Sequence, residues 1–193
     1  LILSKMMDEN SGSHRIVSML LEALDAYSRE TVNHCNRITR IAIGFGRSLG
    51  MTPAELSRLA VAAQLQDVGK IGIPDSILNK KEALTQQERE SIRRHSELGY
   101  RIVKAIPSLD EVAIDIYQHH EYFDGSGYPM GLKGSEISLN ARILNIIDSF
   151  DAMTNRSVYA ATKTVEEAVF DLCNKSGKQY DPNLVDAFIR EIE

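Results

Sequence analysis

The sequence predicts an all-α fold of about seven or eight helices, on three observations. The helix-start pattern S/T-x-x-E recurs at Thr52/Glu55, Thr85/Glu88, Ser108/Glu111 and Thr164/Glu167. In each, a hydroxyl and a carboxylate satisfy orphan N–H groups reciprocally. Apolar residues also recur at helical spacing in segment after segment, and no segment alternates with period two for long.

Residues 1–13 read as the end of an upstream helix followed by a polar linker, and residues 14–193 as one domain. The first helix covers 14–27, where Val17, Leu20, Leu21 and Leu24 make one stripe. The second covers about 31–49, with Ile38, Ile41 and Phe45 in line. The third opens with Pro53 at a favoured first-turn position and carries Leu56, Leu59, Ala60 and Ala63 to an end near Gly69. Ile92, Gly99, Ile102 and Val103 mark a fourth, stopped before Pro107. Leu109, Val112, Ala113, Ile116 and Tyr117 mark a fifth, and Ile143, Leu144 and Ile147 a sixth. A seventh begins at Val165 and stops by Gly177, and Pro182 opens a short last one. The glycine-rich stretch 122–138, with Pro129, is a loop of a length that usually carries function.

At 193 residues, 43% of them hydrophobic and 25% charged, the chain has enough material for one well-cored domain. A net charge of −5 without a basic run argues against long nucleic acid, which is gripped through its phosphates by a basic face. A small anion remains compatible, because bound metal would reverse the local field. Cys35 and Cys173 are far apart and read as reduced thiols of a cytoplasmic protein. No apolar run reaches transmembrane length.

The chemistry-bearing residues are of metal-ligand type: Glu30, His34, Gln66, Asp67, His95, His119, His120 and Asp148. Glu30 and His34 are four apart on one helix face, and His34 is in register with Ile38 and Ile41. A core histidine bonded to Glu30 would explain that pair on its own. Asp67 ends a helix, where the macrodipole disfavours an acid, so a cation should compensate; Lys70 or a metal would serve. His95 shares a stripe with Gly99, whose lack of a side chain suggests close approach of another backbone. His119 and His120 would diverge by about 100° in regular helix, so they would serve two ions or meet where a helix ends. Glu121 could steady an imidazole. Asp148 and Asp151 lie on an otherwise apolar helix, Asp148 the more interior by its spacing from Leu144. Each residue alone has a bland structural explanation. Together, on the apolar sides of several helices, they favour a metal site.

The chain resembles the HD-GYP family, a bacterial branch of the HD metal-dependent phosphohydrolases, over about residues 28–190. QDVGKIGIP (66–74) is similar to the family's HDIGKIGIP, and HHEYFDGSGYP (119–129) to its HHExxDGSGYP. GLKG (131–134), ARI (141–143), DSFDA (148–152) and YDP (180–182) follow in family order. The resemblance implies a helical HD-domain bundle, two or three divalent metal ions, iron or manganese, and hydrolysis of cyclic di-GMP or a related cyclic dinucleotide. It implies that Asp67 bridges two ions and is catalytic together with Lys70. It implies that Lys70, Gly125, Tyr128, Pro129, Arg156 and Tyr159 face the substrate. An upstream sensory or receiver domain, a diguanylate-cyclase-type partner and a homodimer are assemblies the resemblance leaves open.

Two positions depart from the family. Gln66 stands where it has the metal-binding histidine, and a neutral amide oxygen is a poorer transition-metal ligand than imidazole. Its Arg-Pro-Tyr stretch and following basic residue read Ser157, Val158, Tyr159 and Ala160, with Arg156 one place early. Three functions follow in order of preference. The first is a metal-dependent phosphodiesterase weakened by Gln66 and Ser157. The second is an inactive relative that binds a cyclic dinucleotide or protein and transmits a signal. The third, a phosphohydrolase of another nucleotide, is disfavoured by the Tyr128-Pro129 loop.

Overall fold

A computed structural model describes residues 12–155 and 162–192. Among them there is no strand, and the helices are α1 (Gly12–Tyr27), α2 (Arg29–Ser48), α3 (Pro53–Leu65), α4 (Asp75–Leu78), α5 (Gln86–Arg93), α6 (His95–Lys104), α7 (Asp110–Gln118), α8 (Leu139–Thr154), α9 (Val165–Asn174) and α10 (Pro182–Ile192). The all-α expectation holds. Two details differ. A single-turn helix, α4, precedes the Thr85 box, and the expected fourth helix is cut at Arg94 into α5 and α6, so that His95 opens a helix.

The capping boxes at Thr52, Thr85 and Thr164 all form, with both reciprocal bonds in place. Ser108 departs: its φ is 68°, not the extended conformation an N-cap normally takes, and α7 begins at Asp110. The Glu111 carboxylate accepts from Arg58 Nη1 at 2.7 Å. Arg58 also donates twice to Asp115, whose side chain is fully buried. That bidentate pairing is what allows a carboxylate inside α7.

The chain forms two compact units that meet in sequence at Tyr117/Gln118. In the first, α3 is buried almost all round, through Leu56, Leu59, Ala60, Val61, Ala62, Ala63 and Leu65. Such a helix belongs at the centre of its unit. It packs on α2, whose Ile38, Ala42 and Phe45 face inward. Gly46 allows the approach, because a methyl there would lie 2.7 Å from Leu56 Cδ2. The C-terminus of α3 therefore delivers Gln66 and Asp67 into the interior. A 3-10 turn, Val68–Gly72, follows and packs against α6.

The fit at that turn is backbone on backbone. A methyl at Gly69 would fall 2.0 Å from the carbonyl oxygen of His95 and 2.5 Å from the nitrogen of Gly99. The close approach suggested by Gly99 is thus present. Gly69→Ala is expected to push α6 away and cost about 3 kcal/mol or more, the upper end for overpacking, since the obstacle is rigid. Urea denaturation measures it, and a loss under about 1 kcal/mol would show that the turn relaxes freely.

In the second unit α8 is the core helix, with Ile143, Leu144, Ile146 and Ile147 fully buried. It packs on α9 and α10, and Phe150 meets Phe188 edge-on at 5.3 Å. Arg142 on α8 donates to the buried Asp181 at 2.5 Å. The 122–138 segment is a loop, as expected, with one 3-10 turn at Gly134–Glu136. No described helix is long and apolar enough to cross a membrane.

Candidate metal centre

In the first unit the candidate residues converge on Asp67. Its residue surface is only 3% exposed. Lys70 Nζ lies 2.8 Å from Oδ2, His34 Nε2 lies 3.9 Å from Oδ2, and His95 Nε2 lies 3.7 Å from Oδ1. Burial pushes this carboxyl toward its neutral form. The Lys70 ammonium, with His95 and His34 when protonated, outweighs burial and holds it well below the usual carboxylate range. The compensation expected for an acid at the end of α3 is therefore supplied in part by Lys70.

The two imidazole separations are too long for hydrogen bonds. They are the separations expected of atoms sharing an ion, since ligands about 2.0–2.2 Å from a metal lie roughly 3–4 Å apart. The carboxylate also presents one oxygen to each imidazole, which is what a carboxylate serving two ions requires. His95 Nδ1 is 2.7 Å from the carbonyl oxygen of Ile92. A carbonyl only accepts, so Nδ1 carries the proton, and in the neutral ring Nε2 keeps its lone pair on the side of Asp67. One ionised carboxylate and two imidazoles fit a divalent transition ion by donor chemistry.

Gln66, the C-cap of α3, is 1% exposed. Its αR backbone is ordinary, so no constraint of the main chain explains the amide side chain. Glu30 is exposed in the first turn of α2, one turn before the half-buried His34.

In the second unit, α7 ends at Gln118, and His119 and His120 lie in the turn beyond it. Their ring centres are 4.0 Å apart. The 100° divergence of regular helix is thus avoided in the way the sequence allowed. Tyr128 stacks on His120 at 4.9 Å, and its N–H donates to the His120 carbonyl at 3.1 Å. Gly125 has a φ of 87°, and the Tyr128–Pro129 bond is cis. Asp124 accepts from both the N–H and the hydroxyl of Ser126, closing the loop tip. Gly127 passes so near the turn that a methyl there would sit 2.1 Å from Tyr122 N.

Two sequence expectations need correction. Glu121 does not serve mainly as a partner for imidazole: its oxygens accept from Met130 N at 2.5 Å and Leu132 N at 3.0 Å. Loop N–H groups lacking other acceptors compete better for a buried carboxylate than a neighbouring ring does. Asp148 is half-buried, whereas Asp151 is 1% exposed. Asp151 continues the Ile143, Ile147 stripe at four-residue steps, while the Leu144 stripe runs toward the surface at Asp148. Arg156, Ser157, Tyr159 and Ala160 lie outside the described residues.

Sequence reasoning missed Asn145, a buried amide whose Nδ2 donates to the carbonyls of His119 at 3.0 Å and Glu121 at 3.1 Å. The available signal was an amide between Leu144 and Ile146 in an apolar run. It also missed Asp115, marked by a lone acid on the inner face of α7.

Residues 14–184 match the family described as HD domain. The chain is 40% identical over 177 residues to a cyclic di-GMP phosphodiesterase of Thermotoga maritima, covering 91% of this chain and 47% of that one. It is 36% identical over 186 residues to the 3'3'-cGAMP-specific phosphodiesterase 2 of Vibrio cholerae, covering 95% and 36%. The chain thus spans less than half the length of either relative. Among solved structures, the Bd1817 HDG"Y"P protein of Bdellovibrio bacteriovorus superposes with a TM-score of 0.69 at 19% identity, covering 93% of this chain and 61% of that one, a likeness of fold. The chain belongs to the HD domain family, in its HD-GYP branch, with Gln66 in the place of the histidine of the HD pair.

Proposed function

We propose that this chain is a metal-dependent phosphodiesterase-type domain that acts on cyclic di-GMP or a related cyclic dinucleotide such as 3'3'-cGAMP, with turnover reduced by Gln66 and Ser157. The observation that carries the reading is Asp67: buried, ionised, and offering one oxygen each to His34 and His95. Buried charges are paired or coordinate metal, and Lys70 accounts for only one of the two carboxylate oxygens, Oδ2.

Asp67, His34 and His95 in the first unit, and His119, His120 and Asp148 in the second, are the proposed ligands, with Glu30 and Gln66 as weaker members. Iron or manganese suits this nitrogen and oxygen set. A bound divalent ion supplies Lewis acidity, lowering the pKa of water and neutralising charge on phosphate oxygens. The chain's own part is positioning. Lys70, with a quarter of its side chain exposed, offers an ammonium to a phosphate while still reaching Asp67. The Tyr128 ring, stacked on His120, provides a flat face beside that imidazole.

The second reading, a domain that binds the nucleotide without cleaving it, is favoured by one observation. Gln66 is buried at a ligand position, where an amide holds metal poorly. Protein purified without chelator is expected to carry at least one equivalent of transition metal and to cleave cyclic di-GMP slowly. Elemental analysis with a hydrolysis assay separates the readings. Metal with no product supports the binding domain, and protein that takes up neither iron nor manganese rules out the phosphodiesterase.

A further inference from the structure

Asn145 is an amide at a position where packing asks for a hydrocarbon. It is 4% exposed, between Leu144 and Ile146, both fully buried. Burying an amide is costly unless its hydrogen bonds are made. Here Nδ2 donates both hydrogens, to the carbonyls of His119 and Glu121. Oδ1 is buried with no hydrogen-bond partner among the described residues. The orientation is nevertheless fixed, because a flipped amide would set an oxygen against two carbonyl oxygens. The residue is held in the core for its two donors.

Both acceptors belong to the turn that carries the paired imidazoles. From there the connection continues outward. The Glu121 carboxylate holds the N–H groups of Met130 and Leu132, and the His120 carbonyl holds that of Tyr128. Core helix, imidazole turn and loop form one hydrogen-bonded series, and Asn145 is its only side chain rooted in α8 among these bonds.

We propose that Asn145 is a positioning residue: through the carbonyls of His119 and Glu121 it fixes the turn that aims both imidazoles and the loop from Tyr128 to Leu132. Its consequence for metal binding rests on the reading of His119 and His120 as ligands; the mechanical link does not.

The test compares the full chain with Asn145→Asp, nearly isosteric but without the donors, and with Asn145→Ala. Phe188→Leu, a core change in α10, is the control for general loosening. Amide hydrogen exchange is measured on metal-free protein, and manganese affinity by titration. In both Asn145 variants, exchange at Tyr128, Met130 and Leu132 should rise roughly tenfold, as expected when a net hydrogen bond or two is lost. Phe188→Leu should leave those three amides unchanged. Manganese affinity should fall by about 10–100-fold in the Asn145 variants, the usual effect of losing a group that orients a ligand. Exchange within twofold of wild type in both variants, or an equal rise in Phe188→Leu, would overturn the proposal. Faster exchange with unchanged manganese affinity would overturn its link to metal binding. A wild-type chain that takes up no manganese overturns the ligand reading, and the exchange data then decide the positioning role by themselves.

Discussion

Gln66→His is expected to tighten metal binding by at least about 10–100-fold, because restoring a direct ligand should matter no less than restoring a group that merely orients one. The position accepts the change: Gln66 is a C-cap in ordinary αR geometry, and the two side chains are of similar size. Turnover should respond less than affinity. Ser157 and Ala160 stand where the resemblance gives basic groups, the residue type that pairs with phosphate. Adding Ser157→Arg to Gln66→His should therefore raise cleavage of cyclic di-GMP further than either change alone. Chelator competition gives the affinity and product chromatography the rate. Full activity from Gln66→His alone would mean that the phosphate side was never impaired and that only one ligand had been lost.

Asp67→Ala should have the largest effect in the opposite direction. Metal affinity should fall by more than about 100-fold, since both nearby imidazoles lose the carboxylate they face. The metal-free protein should also lose about 3 kcal/mol, the lower end for stripping one partner from a buried ion pair, because Lys70 can still turn toward water. Asp67→Ala with Lys70→Met removes both charges and should recover part of that loss without recovering metal. Urea denaturation of the three proteins decides it. If Asp67→Ala is as stable as wild type without metal, the Asp67–Lys70 pair contributes nothing to the apo fold.

Local signals carried most of the helix reading. Thr52, Thr85 and Thr164 start their helices because both halves of a capping box lie within four residues. Gly99 announced a close backbone approach because glycine inside a helix has a local cost that needs a reason. The cut at Arg94 was not legible, since an apolar stripe keeps its phase through a single tightened turn. The site was legible in residue type but not in wiring. Glu121 and Asn145 act on main-chain groups, and the partners of Asn145 lie 26 and 24 residues away. Main-chain acceptors leave no mark in a sequence, because every residue has one. The burial order of Asp148 and Asp151 is not legible, because two stripes on one helix look alike until their neighbours are known.

The ordinary backbone at Gln66 has an evolutionary corollary. Nothing in the main chain there demands one side chain over another: the C-cap is in ordinary αR geometry, and the Thr52–Glu55 capping box that starts α3 lies at its other end. In the genetic code glutamine and histidine codons differ only in their third base. A lineage can therefore lose the imidazole, or regain it, by a single transversion without passing through an unfolded intermediate. Catalytic strength in such a domain becomes a trait that selection can adjust rapidly and reversibly while the scaffold is inherited unchanged.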